Sequence, residues 1–99
     1  MIENENHKRV KSAISRNDHI RGARLRQYRE NIRLDGHKIT RREMVIILRS
    51  HGYSKAYESL YRNWELGYNI PGEALAAFVR MGLNLNWLMA GIGNPKLRS

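Results

Sequence analysis

The segment from Tyr53 to Gly67 constrains the fold most, because its residues separate into two faces of a helix. The apolar residues recur at the i, i+3, i+4 and i+7 spacing of one helix face, and they are Tyr57, Leu60, Tyr61 and Trp64. The opposite face carries short or forked hydrogen-bonding side chains, which are Glu58, Ser59, Arg62 and Asn63. The pattern predicts a helix that packs its aromatic residues into a core and presents its polar residues outward.

The chain is short and strongly basic. Its 99 residues suffice for one domain, and 18 lysine and arginine residues against 9 acidic ones give a formal net charge of +9. Most of the excess lies in residues 1–50, with 13 basic and 6 acidic residues, against 5 and 3 in residues 51–99. Such a charge suits an anionic partner, either nucleic acid or an acidic membrane surface, although it also serves simple solubility.

Several classes of protein find no support in the sequence. Cysteine is absent, and no apolar run approaches the ~20 residues of a membrane span. The histidines lack metal-ligand spacing, and they are His7, His19, His37 and His51. No nucleophile–base pair, phosphate-binding glycine loop or carboxylate cluster is visible. We therefore expect a soluble cytoplasmic protein that is not an enzyme, with no cofactor, metal, small-molecule ligand or membrane partner.

Composition divides the chain into three parts. Residues 1–17 are polar and basic, and they fit either a basic arm that follows DNA phosphates or a solvated tail. Residues 18–93 carry the helical patterns and form the expected domain. Residues 94–99 form a short, basic segment that contains a proline, as is typical of a tail.

Helix-capping residues divide the domain into five helices. Asp18 is placed to cap a first helix from about His19 to Ile32, which a polar turn at Leu34–Lys38 follows. Thr40 and Glu43 form a capping box for a second helix that reaches about His51. The remaining ends are marked by Ser54 and Gly67 for the third helix, Pro71 and Gly82 for the fourth, and Asn84 and Gly91 for the fifth. These signals predict an all-α, compact five-helix bundle with a helix-turn-helix.

Three segments resemble the lambdoid phage repressor and Cro-type helix-turn-helix family, also called XRE-like. Residues 24–29 (RLRQYR) are similar to the first helix of the family. Residues 61–67 (YRNWELG), followed by Pro71, are similar to the end of the recognition helix and its turn. Residues 82–93 (GLNLNWLMAGIG) are similar to the closing helix of phage repressor domains. The resemblance covers about residues 20–93.

The resemblance implies roles for individual residues. Glu58, Ser59 and Asn63 match positions that face base edges, and Arg62 on the same face suits guanine. Arg29 and Glu65 match a buried ion pair between the first and third helices. Arg41 matches a position that binds a DNA phosphate. We expect the full set of phosphate contacts to be Arg41, Lys38, Arg42, Lys55, Tyr68 and Asn69.

The chain departs from the family pattern in ways that leave alternatives open. Extra residues lie around Leu34–Lys38, and Arg49–Ser54 replaces a shorter turn, so the first residue of the recognition helix is uncertain. Glu58 is a poor neighbour for phosphates, and it either accepts from a cytosine amino group or turns away and pairs with Arg62. The polar face of the helix is also compatible with a surface that only contacts water.

These features predict a sequence-specific DNA-binding transcriptional regulator, of the phage-repressor type, that binds a palindromic operator in double-stranded DNA as a homodimer. It would act in the cytoplasm of a bacterial or phage-infected cell, on the nucleoid. One alternative is an antitoxin that regulates its own operon and neutralises a toxin. Another is a protein-interaction adaptor that has the same fold and does not read DNA.

Overall fold

Residues 15–97 are described by a computed structural model, and they form five helices and one small two-stranded sheet. The predicted basic arm lies mainly in residues 1–14, outside the described residues. No helix between residues 15 and 97 has the length and apolar character needed to cross a membrane. The elements in chain order are α1 (Arg16–Glu30), β1 (Arg33–Leu34), β2 (His37–Lys38), α2 (Arg41–Ser50), α3 (Glu58–Leu66), α4 (Gly72–Met81) and α5 (Leu85–Ala90).

An aromatic cluster occupies the centre of the core. Trp64 of α3 contacts Tyr61 and Phe78 edge-on, with ring centroids 5.9 and 6.1 Å apart. These three side chains are fully buried and join α3 to α4. Edge-to-face geometry is the arrangement that aromatic quadrupoles favour, so the cluster fixes the orientation of α3 as well as burying area.

The first two helices differ in how well their starts were predicted. The capping box at α2 is confirmed: the Glu43 backbone amide donates to the Thr40 hydroxyl at 3.1 Å, and the Thr40 amide donates to the Glu43 carboxylate at 2.8 Å. The predicted Asp18 cap of α1 is wrong, because Ser15 accepts from the Asp18 backbone amide at 3.0 Å. The Asp18 carboxylate instead pairs with Arg21, one turn further along.

The polar turn at Leu34–Lys38 is a β-hairpin, which corrects the all-α prediction. Arg33 faces Lys38 and Leu34 faces His37 in antiparallel register. Asp35 and Gly36 both have positive φ, at 51° and 83°, as a two-residue type I′ turn requires. The hairpin brings the chain back from α1, so that Ile39 enters the core just before α2.

The predicted start of α3 at Ser54 is wrong. Tyr53 and Ala56 are buried, and the Arg49 guanidinium donates to the Ala56 carbonyl at 2.9 Å. These contacts hold the connection after α2 in turns, so the helix begins only at Glu58. Tyr57 has extended backbone, with φ −147° and ψ 164°, and therefore lies outside the helical periodicity that placed it in the core.

The ends of the last two helices agree with the sequence signals. Pro71 precedes α4, Asn84 caps α5 through its side chain, and Gly82 and Gly91 end the two helices in left-handed conformation. The predicted tail, however, packs back on the domain as far as it is described. The Leu97 amide donates to the Gly82 carbonyl at 2.9 Å, and residues 98–99 lie outside the described part.

Candidate nucleic-acid interface

An open groove of about 500 Å³ runs along the start of α3. It is bordered by α2 on one side and by the first turns of α3 on the other. Three of its lining residues were expected to contact base edges and one was expected to bind a phosphate. The lining residues are Arg41, Tyr57, Glu58, Ser59 and Arg62.

The polar face of α3 is free within the described part of the chain. Ser59 and Arg62 are exposed, and Asn63 is half-buried one position further along. The opposite face places Tyr61 and Trp64 in the core and Glu65 in a buried ion pair. The helix therefore presents its short hydrogen-bonding side chains outward from a rigid, aromatic-anchored base.

The N-terminus of α3 also faces outward without a capping side chain. Tyr57 occupies the capping position, and its side chain makes no hydrogen bond to the first turn. The first-turn amides and the positive end of the helix dipole favour a negative group. Within the chain the acidic Glu58 occupies that first turn.

Glu65 connects three helices through one carboxylate. Its Oε2 accepts from Arg29 Nε at 2.6 Å, and its Oε1 accepts from Arg29 Nη2 at 3.2 Å and from Arg41 Nε at 3.1 Å. Arg29 also donates to the Ile39 carbonyl at 2.9 Å, which ties in the chain after the hairpin. The hydrogen bond to Glu65 raises the pKa of Arg29. The resemblance implied the Arg29–Glu65 pair, but the participation of Arg41 was not anticipated.

The remaining residues expected to bind phosphates do not share this groove. Lys38 and Arg42 are exposed near the start of α2. Lys55 lines a separate groove with Glu73 and Arg80. At the other end of α3, Tyr68 and Asn69 are exposed, and the Tyr68 carbonyl accepts from Arg21. The structure thus distributes the proposed phosphate set over both ends of α3.

Glu58 and Arg62 form no ion pair in residues 15–97, in contrast to the i, i+4 pairing that the sequence offered as one role for Glu58. Both side chains are exposed and line the same groove. The Arg62 guanidinium is consequently available to an external acceptor. Glu58 contributes a negative charge at one end of a surface that is otherwise basic.

Tyr57 is the groove residue that sequence reasoning missed. The residue is 53% exposed, although the i, i+3, i+4 spacing predicts that it lies in the core. The misassignment follows from extending the helix back to Ser54. Glu58 was the available signal for the true start, since acidic residues are favoured in the first turn of a helix.

Metal chemistry has no obvious ligand set in the part of the chain with coordinates, where no group of three histidine, cysteine or acidic residues could hold an ion. His37 instead pairs with Glu43 at 3.2 Å. In comparisons with known proteins, no family model, curated protein or solved structure matches this chain. The likeness to phage repressor domains therefore remains a hypothesis that rests on the sequence motifs.

Proposed function

We propose that this protein is a sequence-specific DNA-binding transcriptional regulator whose α2 and α3 form a helix-turn-helix. The observation that carries the proposal is the outward face of α3, where Ser59 and Arg62 are exposed in the groove beside Arg41 and Asn63 is half-buried one position further along. A helix of about 10 Å diameter fits the major groove of B-form DNA, which is about 12 Å wide. The net charge of +9 supplies the attraction to phosphates.

The chemistry of the exposed face supports direct reading of bases. Arg62 can donate two hydrogen bonds to the O6 and N7 atoms of guanine, and Asn63 can pair with the N6 and N7 atoms of adenine. Each such pair contributes about 1–3 kcal/mol of discrimination against a wrong base. The first-turn amides of α3 and the Arg41 guanidinium would bind flanking phosphates and fix the register of the helix.

Two copies of the chain would bind one operator. A two-fold dimer places two recognition helices in successive major grooves, with half-sites ~34 Å apart on an imperfect palindrome. Occlusion of the polymerase would then repress transcription. The dimer would be formed on the DNA or in solution.

Selection of bound sequences from a random pool of DNA duplexes tests the proposal. Enrichment of a palindromic motif supports it, and binding with no sequence preference would contradict it. Asn63→Ala should then relax preference at one base position and leave non-specific binding intact. Asn86→Ala removes the same side chain from the exposed surface of α5, outside the groove, and is the matched control. Equal weakening of Asn63→Ala on every sequence would remove Asn63 from the reading face.

A second groove favours a protein-binding role as the second candidate. It measures about 630 Å³ and is lined by residues of α1, α2, α4, the α1–β1 connection and the C-terminal stretch, including Ile32, Ile47, Val79 and Leu97. An adaptor or an antitoxin would use such an apolar surface to hold a protein. Salt-sensitive DNA binding without sequence preference, together with a tight protein partner, would favour this candidate over the first.

A further inference from the structure

We propose that Glu65 is a positioning residue that presents Arg41 to a DNA phosphate. In this arrangement the carboxylate holds the inner edge of the Arg41 guanidinium, and the outer edge of that guanidinium faces the groove. The inference rests on the proposed function, because it names how one phosphate contact of that interface is built.

The geometry separates the holding atom from the binding atoms. Arg41 uses Nε to donate to Glu65 at 3.1 Å. Its two terminal nitrogens have no hydrogen-bond partner among residues 15–97, while the side chain lines the groove with Ser59 and Arg62. A guanidinium carries five N–H donors in a rigid fork, so one held at Nε leaves four for a phosphate. A lysine ammonium has three donors on a single nitrogen, so it could not hold the carboxylate with one edge and present a rigid fork to the phosphate with another.

Glu65 itself cannot reach DNA. Its side chain is 2% exposed, whereas the Arg41 side chain is 34% exposed. Glu65 therefore acts on a ligand only through the groups that it holds. Its rigidity comes from Arg29, which binds both carboxylate oxygens and is itself buried.

The order of charges explains why a carboxylate is suitable behind a phosphate-binding arginine. Arg29, Glu65, Arg41 and a phosphate alternate in sign, so each group has an opposite charge as its neighbour. Without Glu65, two guanidiniums would share a partly buried space with no counter-charge, and Arg41 would move toward water. A long side chain fixed in advance also loses less rotamer freedom when it binds.

A double-mutant cycle tests the coupling. The binding of a short labelled DNA duplex of mixed sequence is measured against salt for wild type, Arg41→Gln, Glu65→Gln and the double variant, with thermal unfolding recorded in parallel. Arg41→Gln should reduce affinity about tenfold and lower the salt slope by about 1. Glu65→Gln should reduce affinity about fivefold in the wild type and less than about twofold in the Arg41→Gln background. Its loss of stability should persist in both backgrounds, because Arg29 loses its partner in each.

Glu58→Gln is the matched control, since it removes the same negative charge from the same helix but leaves Arg41 held. Glu58→Gln should bind DNA more tightly, because it removes a negative charge that would lie near phosphates. Glu65→Gln changes the net charge by the same amount, but it should bind DNA more weakly. Opposite directions for the two variants support positioning. Tighter binding by both, or an equal loss for Glu65→Gln in the two backgrounds, overturns it.

Two further results separate this inference from the proposed function. If the wild-type protein binds no duplex, the proposed function and the inference both fall. If the wild type selects a motif but Arg41→Gln binds as tightly, only the inference falls.

Should Glu65→Gln fail to fold, Arg41→Lys replaces it as the test. This variant keeps the positive charge but lacks the second edge of the guanidinium, so DNA affinity should drop while the salt slope is retained. Wild-type affinity for Arg41→Lys would overturn the inference.

Discussion

Replacing Gly22 with alanine should separate α1 from α3, because there is no room for a Cβ atom between them. A Cβ at this position would lie 2.4 Å from the Glu65 carbonyl oxygen, 2.8 Å from the Gly67 nitrogen and 2.9 Å from the Glu65 carbonyl carbon. All three are backbone atoms, so no side chain can rotate away to make room. The helices must move apart by about 1 Å before the contact becomes an ordinary van der Waals one.

The expected loss of stability exceeds the gain from helix propensity. Overpacking of this kind costs about 1–3 kcal/mol, and separation also lengthens the Arg29–Glu65 pair and the bond from Arg21 to the Gly67 carbonyl. The higher helix propensity of alanine compared with glycine offsets about 1 kcal/mol of this lost stability. Because the weakened bonds add to the overpacking, we expect a net loss of about 1–2 kcal/mol, which for a domain of this size lowers the melting temperature by about 4–16 °C.

Thermal and denaturant unfolding, followed by circular dichroism, measure the effect. Gly72→Ala is the control, because Gly72 is also a helical glycine, the first residue of α4, and has no atom within 4 Å of the added Cβ. That variant should be as stable as wild type or up to about 1 kcal/mol more stable. Wild-type stability of Gly22→Ala would refute the close-approach argument, and an equal loss in Gly72→Ala would show a general effect of glycine replacement.

Further predictions concern α2 and the buried tyrosine. Thr40→Ala should cost about 1 kcal/mol in denaturant unfolding, because it removes the hydroxyl that caps α2. The hydrogen bond from the Thr40 amide holds the pKa of Glu43 below its ordinary 4.5. The stability that Glu43 contributes is therefore present above pH 4.5 and is lost as the pH falls. Glu43→Gln should remove this acid dependence from unfolding curves. Among residues 15–97 no atom forms a hydrogen bond of normal geometry with the Tyr61 hydroxyl, and burial is the main cause that raises its pKa well above 10.0. Tyr61→Phe should therefore match or exceed wild-type stability, and it should lose less stability than wild type as pH rises above 10.

Local signals predicted most helix ends correctly because their chemistry lies within a few residues. The Thr40–Glu43 capping box and the left-handed glycines Gly82 and Gly91 needed no tertiary contact to be recognised. The same reasoning could have found the hairpin, since Asp35-Gly36 is a favoured pair for a type I′ turn. Its two-residue strands were too short to show alternation.

The features that the sequence did not predict depend on contacts between residues distant in sequence. The start of α3 depends on Arg49, which donates to the Ala56 carbonyl and keeps the connection out of helical conformation. The link from Arg41 to Glu65 joins residues 24 positions apart, and no local pattern indicates it. The polar face of α3 and Arg41 were therefore predictable as candidate contacts, whereas the hydrogen bond that joins Arg41 to Glu65 was not.

Tyr57→Ala distinguishes a groove residue from a core residue. Tyr57 is 53% exposed and lines the groove with Arg41 and Ser59, so removal of its ring should change stability by less than about 1 kcal/mol. Against DNA, the same ring would pack on a sugar or a thymine methyl, and its loss should weaken binding several-fold. Tyr57→Phe keeps the ring and should retain most of the affinity; a loss as large as that of Tyr57→Ala would contradict packing by the ring and assign the contact to the hydroxyl.

Comparison with Tyr61 distinguishes a DNA-binding role for Tyr57 from a role in the core. Tyr61 is fully buried between Trp64 and Phe78, so Tyr61→Ala should cost about 3–5 kcal/mol or prevent folding. Unfolding curves and duplex titrations on the two alanine variants would give opposite patterns if Tyr57 belongs to the interface. A large stability loss in Tyr57→Ala with unchanged DNA affinity would show that Tyr57 acts as a core residue, and the groove at the start of α3 would then lose the aromatic side chain proposed to contact DNA.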